Sequence, residues 1–442
     1  MHLLRVQVPD FRGLKDIDIT FEKDFFPKIF PLGSQNGGGK STLLQLIFVL
    51  LHCAVDDDKK QFLANLLQGF KIYDGEEKRV LAIIDIWDGQ KVVNLEFVSY
   101  KDSFLKELLA LDSKEETIDE AYRIFSFLRK EKEGKKQVFD LQTEMSESKI
   151  SKAFGRRMPS FNEISQKIDD IYNKVIEDLK SANMTYICDY SSNQNSNNKQ
   201  DEALLCHFNN IDQEKAEFFL QELSAKIFLA APSTQIFLFL PPNDRKLLFG
   251  NSSNGDKNYY AILESVRAEL KGLFTYDFLA VKLLIESFKA VRDRDFREAI
   301  KTGNYGNSYQ SLIKELNLLL GNKRINVNED LSGVNFQLYN NGETIELYPE
   351  DLSHGELKRL SIYIWLKSRN IEDAIVLMDE VEIAFHPDWQ YQIISDLQEW
   401  GSSNQYILAT HSYALCEALT PAHVKEIEPK LIKQESNITN ES

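Results

Sequence analysis

A glycine-rich stretch near the start of the chain, PLGSQNGGGKSTLLQLIF over residues 31–48, combines residue types that bind phosphate. It nearly matches the pattern G-x-x-x-x-G-K-[ST], with Ser34 in place of the first glycine. In such a loop, backbone N–H groups and the start of the following helix point at negative charge. The stretch therefore predicts a loop that binds the phosphates of a nucleotide.

The side chains of this loop have separate chemical roles. Lys40 would reach the β and γ phosphates, and the Ser41 hydroxyl would ligate Mg²⁺. The small Ser34 need not block the site, and the alternative is a glycine-rich turn that binds nothing. The predicted nucleotide ligands are Ser34, Asn36, Gly37, Gly38, Gly39, Lys40, Ser41 and Thr42.

A second segment, AIVLMDE, ends in two acids. Its five apolar residues predict a buried strand, and ligand sites of α/β proteins lie at the carboxyl ends of strands. Asp379 is placed to hold Mg²⁺, and Glu380 could polarise an attacking water. Acids at strand ends are common, so this segment alone is weak support.

Two further segments could complete the chemistry. In DLSHGELKRLSIYIWL, Ser353 and Gly355 open a helix whose tip could bind an anion, although Ser353 and Glu356 also fit an ordinary helix cap. If this helix lies in another lobe, its tip would meet the nucleotide of a second copy. In YILATHSYAL, His411 follows a predicted strand and could contact the γ phosphate, or serve only structure.

Several elements must position these residues. Alternation of apolar and polar residues predicts strands in HLLRVQV, DIDITFEK and KIFPLG, and a buried helix follows the loop. Further strands are predicted in VLAIIDIWDG and KVVNLEFVSY, with Asp88 and Gly89 in a hairpin turn.

The middle of the chain has a helical texture from about residue 103. Its clearest pattern is the apolar stripe Phe161, Ile164, Ile168, Ile171 and Val175, which fits a helical arm or an ordinary core-facing helix.

The rest of the chain alternates polar loops with predicted elements. Loops are predicted at 191–202 and 250–258, strand structure at 226–245, and helices at 258–321. Paired strands follow at 333–349, with an Asn-Gly turn between them.

Composition narrows the class of protein. The 442 residues include 52 Lys and Arg against 68 Asp and Glu, a formal charge of −16, so nucleic-acid binding would need a local basic patch. Such runs occur as KEKEGKK and GRR, although runs of this kind are usually a solvated face. The four scattered cysteines and the absence of a signal-peptide pattern or a membrane-length apolar run favour the cytoplasm.

The order of the four segments resembles that of the ABC-type ATPases. Within them the chain is similar to the SMC/RecF/OLD branch, which is counted among the AAA family ATPases. The resemblance rests on VPDFRGLKDIDITF before the loop, on DEVEIAFHP and on ATHS. The branch pattern is D-E-P-E-x-x-L-H-P; Val381 and Phe385 depart from it, whereas Glu382, His386 and Pro387 match.

The resemblance implies an α/β fold: a split ABC-ATPase head, with a mixed sheet and flanking helices, interrupted by a helical insertion. The expected division is an N-terminal lobe at 1–102, a largely helical insertion at 103–321 with strands returning near 227–245, a C-terminal lobe at 322–430 and a polar tail at 431–442.

The resemblance also implies a homodimer with two ATP molecules in its seam, each held by Lys40 of one copy and Ser353 of the other, with Mg²⁺. Higher oligomers stay open. The family's metal-bridging glutamine is assigned to Gln235, with Gln90 as the weaker candidate. Arg12 is expected beside the nucleotide, and Arg245 resembles another arginine position of the family.

The ATPase subunits of bacterial anti-phage systems such as Septu, PARIS and certain retrons resemble this chain, which has no recognisable nuclease centre. The resemblance implies an ATPase that controls a separately encoded nuclease or toxin. The alternatives are a RecF-like or SMC-like repair clamp that closes on DNA, and a regulatory ATPase that binds a protein partner. No membrane association is expected.

Overall fold

The computed structural model of the chain describes residues 1–34, 37–101, 177, 179–191, 201–241, 245, 259–276, 280–340 and 343–427. The predicted stripe at 161–175, both basic runs, Asn36 and the loop at 250–258 lie outside these residues. No helix in the described part is both long and apolar enough to cross a membrane.

An antiparallel sheet of six strands forms one layer, in the order β2-β1-β4-β5-β7-β6. In β2, apolar side chains on one face are buried and polar ones on the other are exposed, because successive residues of a strand point to opposite faces. Strands β5 and β7 instead bury side chains on both faces, since Val98 and Leu205 belong to a small separate core. The strands are β1 (His2–Phe11), β2 (Leu14–Thr20), β4 (Lys78–Trp87), β5 (Val92–Lys101), β6 (Met184–Ser191) and β7 (Asp201–Asn209).

A second six-stranded sheet, in the order β15-β3-β14-β13-β8-β9, is parallel throughout. Every residue of β13 and β14 is buried, because helices and the first sheet cover both faces. The strands are β3 (Ile29–Gly33), β8 (Ile227–Ala231), β9 (Leu273–Thr275), β13 (Ile375–Asp379), β14 (Gln405–Ala409) and β15 (Lys425–Glu426).

A small antiparallel sheet and nine α-helices with defined bounds also belong to the described part of the chain. The small sheet contains β10 (Lys323–Val327), β11 (Val334–Asn340) and β12 (Glu343–Leu347). The helices are α1 (Lys40–His52), α2 (Lys60–Leu67), α3 (Gln213–Ala225), α4 (Tyr259–Glu269), α5 (Ala280–Thr302), α6 (Ser308–Leu320), α7 (His354–Ser368), α8 (Pro387–Trp400) and α9 (Tyr413–Glu417).

The parallel sheet separates two hydrophobic cores. Ile375 and Leu377 of β13 pack into the core shared with α1 and the antiparallel sheet. Val376 and Met378, between them in the sequence, pack into the core formed with α7 and α8. The α/β class is therefore confirmed, with β13, like its neighbour β14, contributing to both cores.

Two local expectations need correction. The strand structure expected across 226–245 ends at Ala231, and Ser233–Phe239 is a 3₁₀ helix. Pro232 lacks an N–H for the sheet, and its carbonyl accepts a hydrogen bond from Gln235 N at 3.0 Å, which starts the helical turn. The sequence patterns also do not predict β6 and β7, which fall in the segment expected to be largely helical. The domain boundaries at 102, 321 and 430 stay predictions.

Candidate nucleotide site

Three strands of the parallel sheet bring the predicted site segments to one edge. In the register of the sheet, Asp379 lies beside Ala409, and Ala409 lies beside Leu32. The residues that follow these strands therefore emerge together at the carboxyl edge, where α/β proteins bind ligands.

The glycines of the loop are required by its backbone. Gly37 and Gly39 have φ angles of 81° and 85°, which residues with a Cβ rarely adopt. A Cβ on Gly39 would also come within 2.5 Å of Leu14 Cδ2, so the loop packs tightly on the turn between β1 and β2. Gly38 is buried, and Thr42 is half-buried in the first turn of α1.

Lys40 begins α1 and is only 6% exposed. Its Nζ donates to the Ser34 carbonyl at 3.0 Å and to the Ser34 hydroxyl at 2.9 Å, and lies 3.4 Å from His411 Nδ1. Burial lowers the pKa of Lys40, against the opposing effect of Asp379 and Glu382. Ser34 thus contributes an oxygen to the lysine, and the serine in the glycine position is compatible with a working loop.

Two of the residues expected to hold Mg²⁺, Ser41 and Asp379, are in contact. Asp379 is 2% exposed, and the Ser41 hydroxyl donates a hydrogen bond to its carboxylate. Burial raises the pKa of Asp379 to about 6; the Ser41 hydrogen bond opposes this shift, and the carboxylates of Glu380 and Glu382 add to it. Asp379 Oδ2 is buried and has no hydrogen-bond partner among the described residues. A buried carboxylate oxygen without a donor fits a cation or its water.

Glu382 is a site residue that the sequence reasoning did not assign. It is 7% exposed, and its Oε1 accepts a hydrogen bond from the His411 N–H at 2.7 Å. The carboxylate therefore ties the segment after β14 to the segment after β13. The second glutamate of the D-E-x-E pattern was the available signal.

Glu380 directly follows Asp379 and has the left-handed φ of 53°. Its N–H donates to the Ala409 carbonyl at 2.9 Å, which keeps it at the edge of the sheet. The described residues contain no cluster of three or more His, Cys, Asp or Glu that could hold a metal alone.

Ser353 and Gly355 lie at the tip of α7. Ser353 is exposed and caps the helix: its hydroxyl accepts from the Glu356 N–H at 3.2 Å, and the Glu356 carboxylate accepts from the Ser353 N–H at 2.9 Å. Gly355 is buried, and a Cβ there would meet the Ala384 carbonyl at 2.7 Å. The structure thus contains the ordinary helix cap, and its tip is exposed.

The two glutamine candidates lie in different places. Gln235, in the 3₁₀ helix, accepts a hydrogen bond from the side chain of Gln45, one turn after Ser41 on α1. Gln90 lies in the hairpin turn after Trp87, which pairs with His2 at the far end of β1. At about 3.3 Å per residue, that end is roughly 30 Å from the β1–β2 turn. The metal role of Gln235 stays a prediction.

Arg12 lies in the β1–β2 turn with φ 53°, and its Nη2 donates to the Leu66 carbonyl at 2.6 Å. Desolvation lowers the pKa of Arg12, and the positive charge of Arg245 adds to the shift. The two arginines are therefore close enough for their charges to interact. Their contact with a nucleotide stays a prediction.

Two curated proteins match this chain over short segments. A probable ATPase of retron Vc95 from Vibrio cholerae is 35% identical over 69 residues, which are 14% of this chain and 13% of the relative. A probable ATPase of retron Ec83 from Escherichia coli is 35% identical over 51 residues, 12% and 9% of the two chains. Both matches span a small part of the relatives' length.

Among solved structures, an Smc head bound to the C-terminal winged-helix domain of ScpA matches with a TM-score of 0.39 and 10% identity, over 95% of this chain and 92% of that one. An Smc head with an extended coiled coil from Pyrococcus furiosus gives a TM-score of 0.35 and 13% identity, over 94% and 91%. The model of the AAA ATPase domain family matches residues 1–415. The chain therefore belongs to the AAA ATPase domain family.

Proposed function

We propose that this chain binds ATP with Mg²⁺ between two copies and hydrolyses it to control a separately encoded nuclease or toxin in an anti-phage system. One observation carries the nucleotide site: the Ser41 hydroxyl meets the buried Asp379 carboxylate, and Lys40 Nζ lies 3.4 Å from His411 Nδ1. Three segments far apart in the sequence, the glycine loop and the segments after β13 and β14, thus lie together at one edge of the sheet.

The residues divide the chemistry among themselves. Lys40 would exchange its Ser34 contacts for the β and γ phosphate oxygens, and loop N–H groups would bind the same phosphates. Ser41 and Asp379 would hold Mg²⁺, which neutralises charge on the phosphates when it is bound. Glu380 would orient and polarise the attacking water, and His411 would contact the γ phosphate.

The tip of α7 would provide the second half of the site. Ser353 is exposed at the N-terminus of α7, a helix of 15 residues. The helix dipole places partial positive charge at this end, which favours an anion there. A second copy, related by a twofold axis, would place this tip against the phosphates held by Lys40. Each nucleotide would then touch both copies.

The defence role is proposed from the similarity of this chain to named relatives. The two curated relatives are named as probable ATPases of retrons, and their matches cover only short segments. Control of an effector is therefore proposed by analogy with the anti-phage ATPases that this sequence resembles.

The experiment that tests the nucleotide sandwich uses Glu380→Gln protein, which should bind ATP without hydrolysing it. Light scattering after size exclusion is expected to show a dimer with ATP and Mg²⁺ and a smaller species without them. The double variant Lys40→Ala, Glu380→Gln should not dimerise. An ATP-bound Glu380→Gln protein of unchanged mass would overturn the sandwich.

The role is tested by tagging the chain in its native operon and identifying what co-purifies. A nuclease or toxin encoded beside it, released or activated when ATP is turned over, supports effector control. Salt-sensitive, ATP-dependent DNA binding with no such partner would instead support the clamp, because phosphate contacts weaken as salt rises.

A further inference from the structure

Lys358 lies on α7, five residues after Ser353, and is buried although it carries a charge. We propose that Lys358 is a positioning residue that couples the tip of α7 to Glu380, so that occupation of the tip controls the orientation of the Glu380 carboxylate. This inference rests on the proposed function and names the connection between the two halves of that site.

The Lys358 ammonium binds the backbone that carries Glu380. Its Nζ donates to the Glu380 carbonyl at 2.8 Å and to the Ile383 carbonyl at 3.1 Å. Both bonds are charge-assisted and stronger than a bond between neutral groups. The turn at residues 380–385, which follows β13, is therefore hydrogen-bonded to α7 through the Lys358 side chain.

This turn has a backbone that needs support. Glu380 has φ 53° and Ala384 has φ 72°, and both residues have a Cβ that disfavours the left-handed region. Such conformations persist only where the surrounding structure holds them, and they concentrate at functional sites. Lys358 bonds to the carbonyl of the first strained residue, Glu380, and to that of Ile383, which directly precedes the second, Ala384.

An aromatic ring supports the ammonium from another side. Lys358 Nζ lies 4.0 Å from the centre of the Tyr276 ring, a short distance for a cation and an aromatic face. The Tyr276 hydroxyl donates to the Ala230 carbonyl of β8 at 3.2 Å. The parallel sheet thus positions the Lys358 ammonium through Tyr276, and the ammonium in turn positions the 380–385 turn.

A second contact joins α7 to the same turn. The backbone of Gly355 packs so closely on the Ala384 carbonyl that a Cβ would come within 2.7 Å of it. The tip of α7 therefore touches the turn through Gly355 and is bonded to it through Lys358. When Ser353 engages a phosphate held by another copy, a small shift of α7 would be passed to the Glu380 backbone.

The next residue provides the matched control. Arg359 donates to both carboxylate oxygens of Asp396 on α8, at 2.6 Å and 2.8 Å. This half-buried pair joins α7 to α8 and makes no hydrogen bond to the 380–385 turn in the described part of the chain. Arg359→Met should lower stability without a specific effect on Glu380.

The test compares Lys358→Met with Arg359→Met and Lys358→Arg in the full chain. For Lys358→Met we expect kcat to fall about tenfold, since a misplaced catalytic group loses rate steeply. The ATP dissociation constant should stay within about twofold, because the loop that binds phosphate is untouched. Lys358→Arg keeps charge and donors and should recover part of the rate.

Hydrogen exchange gives a readout that does not need turnover. In Lys358→Met, amides of residues 380–385 should exchange faster than in wild type, with or without ATP, whereas Arg359→Met should leave them unchanged. Wild-type exchange and wild-type kcat in Lys358→Met would overturn the positioning role. If Lys358→Met and Arg359→Met lose kcat equally and show equal exchange at these amides, the positioning role is also overturned, because a purely structural role of Lys358 would explain both results.

The two proposals can fail separately. If the wild-type chain does not bind or hydrolyse ATP, the proposed function fails. Hydrogen exchange at the amides of residues 380–385, compared between wild-type and Lys358→Met protein without ATP, still decides whether Lys358 holds the turn.

Discussion

The two halves of the proposed site differ in how far the chain completes them by itself. At the phosphate loop, Lys40 is 6% exposed and already bonded to Ser34, and Asp379 is 2% exposed and bonded to Ser41. At the tip of α7, Ser353 is exposed and its bonds return to Glu356 of its own helix.

The difference indicates which half selects the nucleotide and which half responds to it. Charged groups are costly to bury unless partners compensate them, so the loop is built for a charged ligand. The exposed tip has no desolvation cost when it is empty, because water solvates it. It contacts a ligand only when another copy brings one. The loop should therefore determine affinity, and the tip should determine assembly.

The largest effect is expected at the catalytic carboxylate. Glu380→Gln should lower kcat about 1,000-fold, because an amide cannot accept a proton from the attacking water. Its ATP affinity should stay near that of wild type, measured by titration of a fluorescent ATP analogue. A variant that keeps more than half the wild-type rate would remove Glu380 from this role.

Removal of the loop lysine is expected to act on binding. Lys40→Ala should weaken ATP binding about 100-fold, because charge-assisted bonds to phosphate contribute up to about 3 kcal/mol. The exposed Lys301→Ala on α5 is the control and should bind as wild type does. Calorimetry checks both, and equal affinity of the two variants would contradict the loop as the half that binds ATP.

A change at the α7 tip should separate assembly from affinity. Ser353→Asp still accepts the Glu356 N–H but cannot donate to the Glu356 carboxylate as the Ser353 hydroxyl does at 3.0 Å, so the free energy of unfolding should fall by about 1 kcal/mol. Its carboxylate would repel a triphosphate, and we expect ATP-dependent dimerisation to weaken at least about tenfold. Ser353→Asn, a neutral cap, is the control in sedimentation velocity. If the aspartate variant dimerises as well as the asparagine variant, the tip does not meet phosphate.

The smallest effect is expected at the end of α1, away from both halves. His52 is buried, its Nδ1 lies 2.8 Å from the Ser224 carbonyl, and desolvation lowers its pKa to about 4. The unfolded chain, with an ordinary histidine pKa near 6.5, binds more protons between pH 6.5 and 4.

Stability should therefore fall as the pH is lowered through this window, by about 1 kcal/mol between pH 7 and pH 5.5. His52→Gln should reduce this pH dependence in urea unfolding while nucleotide affinity is unchanged. A pH dependence as steep as that of wild type would mean that His52 does not titrate in this way.

The sequence predicts the loop half of the site better than its surroundings. The strand, glycine loop and helix at 29–52 are local, and short-range chemistry specifies them; β13 and β14 read as apolar runs for the same reason. By contrast, β6 and β7 lie in the sheet because β7 pairs with β5 and β6 pairs with β7, although β5 precedes β6 by more than eighty residues. Their own periodicity does not reveal that pairing.

The missed site residues have a similar explanation. A lysine in the second turn of a helix is usually solvated, and only the fold shows that Lys358 meets the carbonyl groups of residues 380 and 383. Glu382 is one acid among several near a strand end, and its bond to His411 joins segments that are separate in the sequence. Composition and spacing could not predict these contacts, because they join segments that are distant in the sequence.

The most direct test mixes two inactive proteins, Lys40→Ala and Ser353→Asp. In a mixed dimer, one seam combines the intact Lys40 of one copy with the intact Ser353 of the other, and the opposite seam carries both changes. If each nucleotide is shared between copies, ATP hydrolysis should rise on mixing well above that of either variant alone. A mixture no more active than its components, under conditions where the wild-type protein turns over ATP, would contradict the shared site.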